Sequence, residues 1–132
     1  MKFLLDTDTC IYALKQNAAV LQRLLAQKPE DVGISVITEA ELRTGAAKSI
    51  SATKTTRLVE NFLRPLEVLE FTSGDAATYA QVRAKLELGG TPIGPLDTLI
   101  AAQAVGRKLI LVSNNEREFR RVSSIHVQNW TT

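Results

Sequence analysis

Phe3, Leu4 and Leu5 form an apolar run with no polar alternation, and it ends abruptly at Asp6 and Asp8. Such a run suits a short parallel strand buried on both faces. Cys10, Ile11 and Leu14 then recur at helical spacing as far as Gln16 and Asn17. Val20, Leu21, Leu24 and Leu25 give a second amphipathic helix, stopped by Lys28 and Pro29. Residues 32–37 are a second apolar strand, and Thr38 opens the helix after it. Thr38 with Glu41 three residues later matches a capping box. Residues 49–64 read as a long polar helix ended by Pro65, and residues 66–71 alternate apolar and acidic side chains, as an edge strand does. Ser73 caps the next helix, with Tyr79, Val82 and Leu86 facing inward, and Gly89 and Gly90 end it. Pro95 opens an apolar helix with Asp97 in its first turn. Residues 109–112 form a fully apolar strand, 116–121 a short charged helix and 125–130 a last strand.

Strands and helices therefore alternate along 132 residues with no internal repeat, low-complexity tract or linker. This order predicts a single domain over residues 1–132, a three-layer α/β/α sandwich around a mainly parallel central sheet. In such sheets ligands bind at the carboxyl ends of the strands. Attention therefore falls on the polar residues that follow each apolar run.

Four polar clusters lie there: Asp6 with Asp8, Glu41, Asp97, and residues 113–118. Each has a structural reading of its own. Asp8 or Thr9 can cap the first helix, Glu41 can complete the capping box, and Asp97 can complement a helix dipole. Gly45, one turn beyond Glu41, costs roughly 1 kcal/mol against alanine inside a helix, which predicts close approach at that face. Three carboxylates gathered at one rim repel one another unless a cation neutralises them. Oxygen ligands without histidine or cysteine partners suit magnesium, with manganese as a substitute. An ion of that kind activates water for attack on a phosphodiester.

Composition narrows the alternatives. The one cysteine, Cys10, excludes an internal disulfide and a cysteine-built zinc site, and is expected to be a buried small hydrophobe on the first helix. The one histidine, His126, excludes histidine-pair chemistry within a chain and is expected to be exposed and structurally neutral. Net charge is only +2, so any nucleic-acid footprint has to be local. No apolar run approaches the roughly 20 residues that span a bilayer, and the start of the chain leads straight into a core strand, so a cytoplasmic location is expected.

The sequence resembles PIN-domain ribonucleases, and more narrowly the VapC-type toxins of bacterial toxin-antitoxin pairs. The matching stretches are FLLDTDTCIY, ISVITEAELRTGA, GTPIGPLDTLIAAQA and LVSNNEREFRRV, followed by the ending IHVQNW, in the family's order over nearly the whole chain. The resemblance implies that Asp6, Glu41 and Asp97 are catalytic and bind the metal, Glu41 rather than Glu39 being picked out by the E-L-x-x-G pattern. The family's fourth acid falls at Asn115, which is neutral here and is expected to orient a water; Glu118, one helical turn on, is the substitute carboxylate. The resemblance further implies magnesium-dependent cleavage of structured RNA such as tRNA, leaving a 5′-phosphate. It also implies neutralisation by a small VapB-type antitoxin protein, and a homodimer.

RNA requires positive charge around an acidic mouth, and Arg43, Lys48, Lys54, Arg57, Arg117, Arg120 and Arg121 are the candidates, against a plain reading as solvated surface. Two rival functions remain. A strand followed by Asp6-x-Asp8 also opens haloacid-dehalogenase-like phosphatases, with Asp6 as nucleophile and Asp8 as general acid, although no convincing acidic pair follows Val112. The second rival is a non-catalytic PIN-like module that binds RNA or protein without cutting, favoured by the neutral Asn115.

Overall fold

The computed structural model describes residues 1–132. The apolar runs become five short strands: β1 (Phe3–Leu5), β2 (Val32–Ser35), β3 (Glu67–Leu69), β4 (Ile110–Val112) and β5 (His126–Gln128). They form one sheet in the order β3-β2-β1-β4-β5, with every neighbouring pair parallel. The expected three-layer sandwich is therefore present, and its sheet is wholly parallel. Leu5 pairs with Ile34 on one side and Val112 on the other, so the residues after β1, β2 and β4 all emerge at one rim. The connections leave β1 toward β2 in one direction and reach β4 on the other side, which opens a crevice beyond the strand ends where ligands are received.

Seven helices cover the sheet: α1 (Thr7–Leu14), α2 (Ala18–Leu25), α3 (Val36–Ala47), α4 (Ala52–Leu63), α5 (Ser73–Leu88), α6 (Pro95–Gly106) and α7 (Glu116–Phe119). Alternation along β1 separates two cores, because successive side chains of a strand point to opposite faces. Phe3 and Leu5 pack with Cys10, Val20, Leu42, Val59 and Leu63 from α1 to α4, whereas Leu4 packs with Leu86, Ile100, Leu111 and Phe119 on the side of α5, α6 and α7. Cys10 is fully buried, and His126 lies exposed on the edge strand, both as expected. Trp130 leaves the final strand earlier than the sequence suggests, and its ring meets Phe3 edge-on at 5.2 Å.

Several boundaries differ from the sequence reading, each for a local reason. The cap of α1 is Asp6, which accepts from the Thr9 backbone N–H, and neither Asp8 nor Thr9. Gln16 turns out of that helix with φ 62°, which ends α1 at Leu14. β2 stops at Ser35, whose hydroxyl accepts from Ile37 N at 3.0 Å and starts α3 three residues before Thr38. The Thr38–Glu41 capping box is therefore absent: Thr38 is buried inside the helix and Glu41 lies in its second turn. Thr72, not Ser73, caps α5, in a reciprocal box with Asp75. The face beside Gly45 is open, since an added Cβ would meet nothing within 4 Å. Helix propensity alone wrongly suggested a close approach there.

Candidate active site

Asp6 is placed by the sheet itself. Its backbone N–H donates to Val112 O at 3.0 Å and the Thr9 hydroxyl donates to the same carbonyl at 3.0 Å, so the ends of β1 and β4 are clamped together. Ser113, the first residue past β4, is fully buried beside this clamp, with its N–H on Gln128 O at 2.9 Å. Asp6 is only 3% exposed, and its Oδ1 accepts from Thr9 N at 2.8 Å. Burial pushes its carboxyl above the usual range, reinforced by the charge of Asp8; donors at Ser113 and Thr9 pull the other way.

Glu41 arrives from α3 on one layer and Asp97 from α6 on the other. Helices α3 and α6 touch, which brings the two layers together at this rim. The Glu41 Oε1 accepts from the Thr7 hydroxyl at 2.6 Å, a bond across 34 residues of sequence. The Asp97 carboxyl is pushed up to about 6 by burial first, then by the negative charges of Asp6, Glu118, Glu41 and Asp8. Those four acids come from three separate parts of the chain, and the charges of all of them act on Asp97.

The fourth position is composite. Asn115 Nδ2 donates to Glu118 Oε2, and the Asn115 backbone N–H donates to the Ser113 hydroxyl at 2.8 Å. The asparagine amide thus holds Glu118 through one of its two N–H groups, and the two candidates form one unit. Asn114 is tied to the end of the chain by Asn129 Nδ2 at 3.1 Å and by the Thr131 hydroxyl at 3.0 Å.

No three acidic side chains converge closely enough to make a ready cage for an ion. The donor set nevertheless fits a hard cation. Every candidate ligand is a carboxylate oxygen, one acid is already pushed toward neutrality by burial and then by its acidic neighbours, and magnesium typically keeps several waters and takes only one or two carboxylates directly. Thr7 escaped the sequence reading as a participant in the site, whereas Ser113 was part of the fourth polar cluster.

The basic candidates are only partly free. Arg43 pairs with Glu39 at 2.7 Å and approaches Glu60 at 3.9 Å, Arg120 pairs with Glu116 at 3.0 Å, and Arg121 donates to Pro92 O at 3.1 Å. Lys48, Lys54, Arg57 and Arg117 are exposed.

Comparison with known proteins places this arrangement. The model of the PIN domain matches residues 3–125. The tRNA(fMet)-specific endonuclease VapC of Salmonella typhimurium is 39% identical over 130 residues, covering 98% of this chain and 98% of that protein. Ribonuclease VapC2 of Rickettsia felis is 34% identical over 132 residues, again covering 98% of each. Among solved structures, DNA-bound VapBC from Salmonella typhimurium superposes with a TM-score of 0.94 at 40% identity, covering 98% of both chains. VapBC2 from Rickettsia felis, bound to a promoter DNA fragment, superposes with a TM-score of 0.93 at 34% identity, over 98% of this chain and 99% of that one.

Proposed function

The chain belongs to the PIN-domain family, among the VapC ribonucleases, and on that premise we propose that it is a divalent-metal-dependent endoribonuclease acting as the toxin of a toxin-antitoxin pair. The observation that carries the reading is the electrostatic convergence on Asp97 of Asp6, Glu41 and Glu118 from both helical layers. A protein has little reason to gather acids in this way unless a cation is to be held there. Residues 1–132 act as one PIN-like domain.

Asp6, Glu41 and Asp97 hold the ion, and magnesium is the physiological choice, with manganese able to replace it. A bound magnesium ion supplies a water of lowered pKa and stabilises charge on the phosphodiester oxygens. The chain's own residues do the rest. Asp6 is fixed by the Thr9 N–H, and Glu41 by the Thr7 hydroxyl. Asn115 holds Glu118 against the rim, where its carboxylate completes the negative field. Exposed Lys48, Lys54, Arg57 and Arg117 contact backbone phosphates and supply affinity without base readout. The products carry a 5′-phosphate.

The substrate is structured RNA, with tRNA(fMet) first among candidates because it is named for the Salmonella typhimurium relative. The partner is a VapB-type antitoxin, as in the complexes of similar fold. Beside Glu41 lies an apolar groove lined by Ile11, Leu14, Leu42, Leu58 and Val59, a surface of the kind that receives an amphipathic helix. A homodimer is the expected assembly. No helix is long and apolar enough to cross a membrane, and the site of action is the cytoplasm.

The phosphatase alternative falls with the family assignment. Against the non-catalytic module, the test is expression of wild type and Asp6→Asn followed by sequencing of cellular RNA ends. New 5′-phosphate ends at one position of a tRNA, present for wild type and missing for the variant, are expected. RNA bound but uncut by the wild type would favour the module.

A further inference from the structure

We propose that Thr7 is a positioning residue, whose hydroxyl holds the Glu41 carboxylate beside the Asp6 turn, where a divalent cation would bind. The inference rests on the metal-site reading above and assigns a role to a threonine that the capping of its helix does not require. Asp6 caps α1 and Ser35 caps α3. Threonine is also a poorer helix former than the unbranched alternatives.

The direction of the hydrogen bonds follows from counting protons. Thr7 Oγ1 lies 2.6 Å from Glu41 Oε1 and 3.2 Å from Thr38 Oγ1. A hydroxyl carries one hydrogen and an ionised carboxylate can only accept. The Thr7 hydrogen therefore goes to Glu41, at a length typical of a charge-assisted bond. Thr38 Oγ1 is then left as a second, more distant acceptor for Thr7. Thr38 and Glu41 are three residues apart on α3, while Thr7 follows Asp6 directly in the chain. The Thr7 hydroxyl thus ties the start of α1 to α3 at Glu41, with Thr38 Oγ1 close by at 3.2 Å. Groups that orient a metal ligand in this way typically change metal affinity or activity by about 10- to 100-fold when removed.

The test is a titration of the purified full chain with Mn2+, followed by electron paramagnetic resonance, together with melting in EDTA. The variants are Thr7→Val, Thr7→Ala, Thr7→Ser, Thr38→Val and Glu41→Gln. Thr7→Val and Thr7→Ala are expected to weaken Mn2+ binding by about 10-fold or more, and Thr7→Ser to bind as wild type does. Thr38→Val should have the smaller effect, since the Thr7 proton stays on Glu41. The alanine variant keeps the experiment decisive should the valine fail to fold. Mn2+ affinity unchanged in Thr7→Val and Thr7→Ala while Glu41→Gln loses it, whatever happens to melting, overturns the role of Thr7 alone. A wild-type chain that takes up no Mn2+ overturns the metal site and the inference together.

Discussion

Asp6 Oδ1 accepts the Thr9 backbone N–H at 2.8 Å, so the acid at the centre of the rim is also the cap of α1. Asparagine caps about as well as aspartate, whereas alanine at a cap costs about 1 kcal/mol. Asp6→Asn is therefore expected to lose RNA cleavage while melting at or above the wild-type temperature in EDTA. Asp6→Ala loses cleavage and about 1 kcal/mol of stability as well. Cleavage assays with thermal denaturation check both, and an Asp6→Asn protein that cuts at the wild-type rate refutes the role given to Asp6.

Asp97 gives a pH signature. Its folded-state carboxyl is pushed up to about 6 from an ordinary 3.8, so the unfolded chain releases this proton more readily than the folded one. Its contribution to stability is present below the unfolded value and lost as pH rises through about 6. In EDTA, Asp97→Asn should be more stable than wild type at pH 7.5, with the gap narrowing as pH falls toward 4. With Mg2+ added, the order should reverse, because only wild type gains from binding. A gap in EDTA that does not change with pH would contradict the placement of Asp97 among like charges.

Glu118 is held by Asn115 and contributes to the field at Asp97. Glu118→Gln is expected to raise the Mg2+ concentration needed for half-maximal cleavage more than it lowers the rate at saturating Mg2+. Asn115→Ala should shift the metal titration in the same direction and by less. An unchanged titration in both variants would return this pair to the surface.

Away from the site, Arg107 grips both oxygens of Asp75, at 3.2 Å and 2.8 Å, beneath Gln103 and the Thr72 cap. The Arg107 guanidinium, first among several donors, holds the Asp75 carboxyl down at about 2. Its stabilising effect is thus complete above the ordinary 3.8 and lost as pH falls toward about 2. Arg107→Ala strands a buried carboxylate, a change that costs about 3–5 kcal/mol when both partners are buried; with Arg107 31% exposed, a loss of about 2–3 kcal/mol is expected. Urea denaturation measures it. Cleavage at low temperature should be retained, and its loss in a folded variant would tie this network to the site.

Apolar runs carried the architecture. The three buried residues of β1, the strand before Ser113 and the helix opened by Pro95 could all be read because a parallel strand or an inner helix tolerates little polarity. Helix starts were misjudged where several capping-competent residues stand close together: Asp6, Asp8 and Thr9, then Ser35 and Thr38, then Thr72 and Ser73. Which one caps is decided by where the strand lets go, which side-chain chemistry does not encode. Asp6 and Asp97 could be singled out because one follows a strand end and the other opens a helix, whereas Glu41 lies in the second turn of α3 and was picked out by the E-L-x-x-G resemblance. The bond from Thr7 to Glu41 was not legible, since it joins residues 34 apart and exists only once α1 and α3 are packed. The pairing of Arg43 and Arg120 with glutamates one turn earlier also lowers the positive charge that residue counting suggested.

The most direct measurement is cleavage of tRNA(fMet) by the purified chain across a Mg2+ titration, with EDTA and Asp97→Asn as the two controls. The account predicts saturable, Mg2+-dependent cutting at a single position that vanishes in EDTA and in the variant. Cutting that persists undiminished in EDTA, or in Asp97→Asn at the wild-type rate, would contradict it.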